Sequence, residues 1–91
     1  MEELIAQYIM NDYYIKCNST EEIKIAKNAA VRVLGFSRSG GENIGYPYIG
    51  KETATRVCGY RFPSGTNIIS FSELTTYIIP EGEVGDMNEL L

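Results

Sequence analysis

Residues 19–35 decide the fold, and their sequence is STEEIKIAKNAAVRVLG. Ser19 followed three residues later by Glu22 has the spacing of a capping box, which satisfies free N–H groups at the start of a helix. Apolar side chains then recur at helical spacing and form one stripe, made by Ile23, Ala26, Ala30, Val33 and Leu34. Gly35 follows this stripe, at the position where a left-handed residue commonly ends a helix. The sequence therefore predicts a helix over about 20–34, with enough alanine to pack close to a sheet.

Two shorter elements are expected before this helix. Residues 2–10 have apolar side chains at helical spacing, with two glutamates at the start, where the helix dipole favours negative charge. Residues 13–18 alternate in polarity and predict a strand whose Tyr13, Ile15 and Cys17 face the core. The first third of the chain thus predicts a helix, a strand and a helix in that order.

The second half of the chain is expected to supply most of the strands. Residues 37–45 predict a flexible, glycine-rich loop. Residues 46–50 predict a short strand, but proline lacks the N–H that a sheet needs, so Pro47 is expected to keep this strand away from the sheet centre.

A β-hairpin is expected after this short strand. Residues 56–62 predict its first strand, and one inward face is formed by Cys58, Tyr60 and Phe62. A turn at residues 63–65, with proline at its second position, would connect it to a partner strand at residues 67–71.

The C-terminal part of the sequence allows two structures. Ser70 and Glu73 repeat the capping-box spacing and predict a helical turn. Residues 74–79 are instead rich in β-branched and aromatic side chains, which favours a strand. Pro80 would end either element, and the acidic residues 81–91 are expected to be mobile.

Together these elements predict the α+β fold class. We expect an antiparallel sheet of three to five strands, one main helix packed on one face of it, and a short N-terminal helix. Residues 1–80 would form a single domain and residues 81–91 an acidic tail. The pattern leaves the order of the strands open.

Positive charge is concentrated in the centre of the chain. All eight basic residues lie within residues 16–61, where four acidic residues oppose them, and both ends carry only acidic charge. The net charge of the whole chain is −4, so the average hides a cationic centre. Such a region can hold an anionic ligand, an acidic partner or only water.

The composition argues against catalysis and against metal binding. The chain contains no histidine, and its two cysteines are Cys17 and Cys58. It therefore lacks the commonest general base and the usual zinc-ligand set. Both cysteines are expected on inward faces, as small apolar side chains. We expect no enzyme activity, no cofactor and no metal ion.

The location of the protein is also predicted from what the sequence lacks. The uninterrupted apolar runs are too short to span a bilayer. The first residues are acidic, whereas a signal peptide begins with basic residues. We therefore expect a cytoplasmic protein without membrane contact.

Arginines and tyrosines of the cationic centre form the candidate binding site. Its members are Arg38, Tyr46, Tyr48, Lys51, Arg56 and Arg61. Arginine forks match phosphates and carboxylates, tyrosine rings stack on bases, and glycine loops offer backbone amides to anions. The same composition also suits solvated loops and strands, and this alternative stays open. A second basic patch is expected on the solvated outer side of the main helix, formed by Lys24, Lys27 and Arg32.

Three segments of the chain carry a resemblance to known proteins. They are the aromatic-rich strand YYIKC at 13–17, the capped helix at 19–36 and the sequence ISFSEL at 69–74. Their arrangement resembles that of small accessory proteins of bacteriophages and prophages. The resemblance implies a protein outside core metabolism, of the host-takeover or counter-defence type, that blocks a host protein or sequesters a nucleotide signal. It implies no role for any single residue.

These observations predict a non-catalytic binding protein that acts stoichiometrically. It would block a host protein, with tyrosine and arginine anchors, or sequester a small anionic nucleotide. A homo-oligomer would suit the second mechanism, because a core of this size favours self-association. The alternative is an RNA- or single-stranded-DNA-binding module that stacks bases on the tyrosines. Nucleic acid is the less favoured partner, because the net charge is negative.

Overall fold

Residues 1–75 are described by the computed structural model of the protein. Two helices and five strands follow one another in this part of the chain, and residues 71–75 are helical again. The elements are α1 (Glu2–Met10), β1 (Tyr14–Lys16), α2 (Thr20–Leu34), β2 (Ser37–Arg38), β3 (Tyr48–Thr53), β4 (Arg56–Tyr60) and β5 (Ile68–Ser70). The α+β class predicted from the sequence is confirmed.

Helix α2 has the boundaries that its capping signals predict. The Ser19 hydroxyl accepts a hydrogen bond from the Glu22 N–H at 3.2 Å, and the Glu22 carboxylate accepts one from the Asn18 N–H at 2.7 Å. Gly35 ends the helix with a φ of 74°, a left-handed conformation that glycine adopts without a steric penalty. The predicted apolar stripe is wrong at Val33, which is 44% exposed.

The core lies between the two helices and one face of the sheet. Helix α1 packs against α2, and both helices contact strands of the sheet. The principal core side chains come from every layer and are Ile5, Ile9, Ile15, Ile23, Ala26, Ala30, Ile49, Val57 and Ile69. Ile15 and Cys17 face this core as predicted. Burial of these apolar side chains is the main favourable contribution to folding.

The sheet is mixed, so the prediction of an antiparallel sheet is wrong. Its strand order within residues 1–75 is β2-β4-β3-β1-β5. Strand β3 is antiparallel to both of its neighbours, whereas β5 is parallel to β1 and β2 is parallel to β4. Strand direction depends on which segments pair across long stretches of chain, and the local sequence pattern contains no such information.

The predicted hairpin of residues 56–62 with residues 67–71 is also wrong. Strand β4 has β3 on one side and β2 on the other, so neither of its edges is free for β5 near its start. The turn at residues 63–65 instead carries the chain to the outer edge of β1, where Ile69 pairs with Ile15. The actual hairpin joins β3 to β4.

Pro47 was expected to keep the strand at residues 46–50 away from the centre of the sheet. This prediction is wrong, because β3 is the central strand. The proline lies just before β3 and outside its ladder with β4, so the missing N–H leaves no ladder bond unmade. Its carbonyl accepts a hydrogen bond from the Cys17 N–H at 2.9 Å. Pro47 therefore contributes to the pairing with the chain after β1.

Strand β4 presents the opposite face to the core from the one predicted. Val57 is buried in the core, whereas Cys58 and Tyr60 are only half-buried on the other face of the strand. Phe62 lies beyond the strand and is 85% exposed. A shift of one position reverses every side chain of a strand, and the pairing with β3 sets this position.

The second capping box is confirmed at the C-terminal end of the described residues. The Glu73 N–H donates to the Ser70 hydroxyl, and the Ser70 N–H donates to the Glu73 carboxylate, both at 3.2 Å. Leu74 is buried in this helical turn, so of the two alternatives the helical one holds at residues 74 and 75, and the strand alternative is wrong there. Residues 76–79 of that strand, Pro80 and the predicted tail at 81–91 lie outside the described residues.

Candidate functional site

A cavity of about 360 Å³ lies beside β4, where the short strand β2 ends. Its wall includes the Lys27 side chain from α2, the ring of Tyr46, and the backbone of Gly41 and Gly59. Glu52 and Cys58 complete the part of the wall that bears functional groups. A volume of this size lies at the lower end of the range for small-molecule sites.

The end of β2 leaves part of the β4 backbone without a strand partner. The Ser39 N–H donates to the Val57 carbonyl at 2.9 Å, which is the last bond of the parallel ladder. The next bond would join the Gly59 N–H to the Ser39 carbonyl, but residues 1–75 contain no such bond. Gly40 has a φ of 70° and turns the chain away from β4.

The Ser39 carbonyl is occupied by a side chain instead. Lys27 Nζ donates to the carbonyl oxygens of Ser39 and Gly41, each at 2.9 Å. Backbone groups alternate in direction along a strand, so Gly59 turns its N–H and C=O towards the edge that β2 no longer covers. Lys27 and Gly59 thus bring an ammonium and a backbone N–H to the same cavity.

Lys27 is the most deeply buried charged residue in residues 1–75, with 1% of its surface exposed. An ammonium has three N–H donors, and the contacts of Lys27 within the described residues use two of them. None of the ion pairs in this part of the chain includes Lys27. Burial lowers the pKa of Lys27 below its ordinary value, and this effect is opposed by the nearby carboxylate of Glu42.

Arg38 has partners within its own chain. Its guanidinium contacts the Glu42 carboxylate at 3.0 Å and donates to the side-chain oxygen of Asn28 on α2. These contacts hold the loop after β2 against the helix. They also neutralise Glu42, so this carboxylate is not a dedicated partner of Lys27.

Lys51 and Arg56 are each paired with a carboxylate other than Glu42. Lys51 Nζ lies 2.9 Å from Asp12 and donates to the Met10 carbonyl at 3.2 Å, so it stabilises the end of α1. Arg56 lies 3.9 Å from Glu52, and both side chains of this pair are exposed. The first contact is structural, whereas the second is a loose surface pair of small energetic value.

Tyr46 and Arg61 are the two candidate residues with a clear relation to the cavity. Tyr46 lies in its wall, and the Arg61 guanidinium lies over the Tyr46 ring at 5.2 Å from its centroid. Arg61 forms none of the ion pairs described within residues 1–75. Tyr46 is therefore positioned to contact a ligand directly, and Arg61 to orient its ring.

Tyr48 lies on the sheet face that points away from the helices, among other tyrosines. Lys16 Nζ lies over its ring at 5.7 Å. On the same face, the rings of Tyr14 and Tyr60 pack edge to face with centroids 5.1 Å apart, and Tyr14 covers Gly50 so closely that a Cβ there would overlap its ring. The candidate residues thus separate into a cavity and a tyrosine face.

The two cysteines have different surroundings. Cys17 is buried in the core, and burial raises its pKa to about 12. Cys58 is half-buried in the cavity wall, so the prediction that it faces the core is wrong. Among residues 1–75, no group of three or more acidic or cysteine side chains is arranged to hold a metal ion.

Lys27 was assigned to the solvated side of the helix by sequence analysis, and the structure corrects this. The signal was present, because Lys27 is four residues after Ile23 and three before Ala30, both on the buried face. A lysine is usually exposed, and this expectation outweighed the spacing. The open backbone of Gly59 has no signal in the sequence, because it depends on where β2 ends.

Comparisons with known proteins gave no relatives: no protein-family model matches the chain, and no match was found among curated proteins or solved structures. In the part of the chain that the structure describes, no helix has the length and apolar character needed to cross a membrane.

Proposed function

We propose that the protein is a non-catalytic binding protein that takes an anionic group into the cavity beside β4 and acts stoichiometrically. The observation that supports this proposal is Lys27, a buried cation in a cavity wall that forms no ion pair with a carboxylate within residues 1–75. Buried charges are normally paired, because an uncompensated charge has a large desolvation penalty. An anionic group of a ligand would supply the missing partner.

Two kinds of ligand would supply this anionic group. One is a small nucleotide, whose phosphate would meet Lys27 while its base lies against Tyr46. The other is a host protein that inserts an acidic group and is thereby blocked. Tyr46 and Arg61 take the anchoring role expected of the candidate residues, and Lys27 joins them.

Alkylation of Cys58 tests occupancy of the cavity in the unmodified protein. A ligand that fills the cavity should slow the reaction of the Cys58 thiol with iodoacetamide, whereas buried Cys17 should be unreactive with or without ligand. The probes are adenosine and guanosine mono- and diphosphates. A bound nucleotide should also raise the free energy of unfolding by about 2.7 kcal/mol at a hundredfold excess over Kd.

A matched pair of variants connects the binding to Lys27. Lys27→Met should abolish protection of Cys58, and Lys24→Met, an exposed position one turn earlier in α2, should leave it unchanged. Equal protection in both variants would remove the support for an anionic ligand. If no anionic probe or acidic peptide protects Cys58 in the wild-type protein, the proposal fails.

We also propose a setting for this function from the sequence resemblance: a phage-derived counter-defence protein in the cytoplasm, acting alone or as a homo-oligomer. Native mass spectrometry would report the copy number and any ligand retained through purification. Recovery of a single bacterial protein at a fixed ratio would favour the host-blocking mechanism.

A second candidate function is the binding of RNA or single-stranded DNA. It is favoured by the face of the sheet that carries Tyr14, Tyr48, Tyr60 and Lys16. Base stacking on these rings would require the Tyr14–Tyr60 pair to rearrange. Binding of this kind should weaken strongly between 50 and 200 mM salt, as judged by gel shift; complexes that are insensitive to salt would contradict it.

A further inference from the structure

We infer that the anionic group is the carboxylate at the C-terminus of a peptide, which pairs with the edge of β4 where β2 ends. This inference rests on the proposed function and names its partner. It adds a requirement that an isolated anion does not meet: the ligand must also satisfy the backbone of Gly59.

The backbone of Gly59 offers one donor and one acceptor at an open strand edge. Strand β2 covers β4 at Arg56 and Val57, and the carbonyl that would have continued the ladder is held by Lys27. An extended peptide carries N–H and C=O groups at the spacing of a neighbouring strand and can pair with both groups of Gly59. A phosphate offers only acceptors, so it would leave the Gly59 carbonyl unpaired.

The loop that leaves this edge carries no side chain at Gly40 or Gly41. A Cβ atom built at either glycine has no atom within 4 Å apart from those of its chain neighbours, so the space beside these two residues is open. Gly59 is different, because a Cβ there would lie 2.7 Å from the Tyr46 carbonyl. The absence of a side chain at Gly59 thus lets the loop pass over one face of β4 while the strand edge still opens into the cavity.

The charges of the cavity wall favour a ligand with a single negative charge over one with several. Lys27 supplies one cation, and Glu52 supplies one carboxylate, which lies 3.9 Å from the exposed Arg56. A carboxylate next to Lys27 would neutralise it. Glu52 repels any anion, and this repulsion increases with charge, so it disfavours a nucleotide phosphate more than a single carboxylate. Tyr46 and Cys58 form the less polar part of the wall, which suits an uncharged terminal side chain.

Amide NMR spectra of the ¹⁵N-labelled wild-type protein test this inference directly. The probe is N-acetyl-Ala-Ala-Val-Leu with a free carboxylate, and its control is the same peptide as a C-terminal amide. The free acid should shift the Gly59 and Gly41 amide signals saturably, while Gly65, an exposed glycine of the loop between β4 and β5, stays unchanged. Loss of one charged hydrogen bond should weaken the amide peptide by about ten- to hundredfold.

The outcomes separate this inference from the proposed function. Equal binding of the acid and the amide overturns the role of the carboxylate. Saturable shifts with adenosine monophosphate but none with the peptide acid overturn the inference and support the proposed function. If neither probe moves Gly59 or Gly41, both fail. As a second readout, Lys27→Met should remove the preference for the free acid, and Lys24→Met should retain it.

Discussion

Two lysines of the cationic centre hold neighbouring segments through backbone carbonyls, but in the part of the chain that the structure describes only one of them forms an ion pair with a carboxylate. Lys51 contacts Asp12 at 2.9 Å and also donates to a carbonyl at the end of α1. Lys27 is more deeply buried, and within the described residues its ammonium donates to two loop carbonyls. The difference distinguishes a neutralised structural cation from a buried cation that remains available to an anionic ligand.

The largest effect is expected from a second cation on the face of α2 that carries Lys27. Ala30 is fully buried, with no cavity described around it, so Ala30→Arg should lower the free energy of unfolding by about 3–5 kcal/mol. Urea denaturation followed by circular dichroism would measure this. Val33→Arg is the control on the same helix, and its exposed side chain should make the change nearly neutral. A stable Ala30→Arg protein would contradict the orientation of α2.

Replacement of Lys27 itself should have an intermediate effect on stability. Lys27→Met leaves the carbonyls of Ser39 and Gly41 without their donor, which should lower the free energy of unfolding by about 1–3 kcal/mol. Lys24→Met should change it little, because Lys24 is exposed. Faster hydrogen exchange in the loop after β2 would accompany the loss. A Lys27→Met protein as stable as the wild type would show that Lys27 does not hold the loop.

Replacement of Lys51 sharpens the comparison, because it should affect stability without affecting ligand binding. Lys51→Met removes a partly exposed ion pair with Asp12 and a bond to the Met10 carbonyl. The free energy of unfolding should fall by about 0.5–1 kcal/mol, while protection of Cys58 by ligand stays unchanged. Loss of that protection would mean that Lys51, too, contributes to the binding site.

The contribution of Lys27 to stability should also depend on pH in alkaline solution. Burial lowers the pKa of Lys27 in the folded protein below its ordinary value of 10.5, although Glu42 and Cys58 oppose this. Between the folded-state pKa and 10.5, the unfolded chain binds more protons at this position, so the contribution of Lys27 to stability rises with pH. The difference in unfolding free energy between the wild type and Lys27→Met should therefore increase over this range, and a decrease would contradict the burial of the ammonium.

The smallest effects on stability are expected at the two exposed arginines. Arg56 has a loose ion pair, and Arg61 has a contact with the ring of Tyr46. Arg56→Ala and Arg61→Ala should each change the free energy of unfolding by less than about 0.5 kcal/mol. Thermal denaturation would detect a larger change, which would assign that arginine a structural role.

Much of the helical structure was predictable from short sequence patterns. The boundaries of α2 and the capping box at Ser70 are confirmed, because a cap forms between residues three or four apart. The pairing of β4 was not predictable from the turn that follows it, since both of its edges are taken by segments that come earlier in the chain. The prediction of which β4 side chains face the core was wrong for the same reason.

The candidate site was predictable only in part. Arginine and tyrosine composition selected Tyr46, which lies in the cavity wall, and Arg61, which lies over its ring. It also selected Lys51, which pairs with Asp12, and Tyr48, which lies among the tyrosines of the outer sheet face. Composition shows which side chains are available to form a site, but it does not show which of them lie close together in the fold. Lys27 was missed because its burial depends on loop carbonyls 12 and 14 residues further along the chain.

By itself, the sequence determined the α+β class, the helices α1 and α2, and the capping boxes at Ser19 and Ser70. These features arise from apolar spacing and from hydrogen bonds within one turn of the chain. Only the tertiary structure decided the direction and order of the strands, the burial of Lys27 and the open edge at Gly59. These features are set by contacts between distant segments, and such contacts depend on which edges and carbonyls the rest of the fold leaves free.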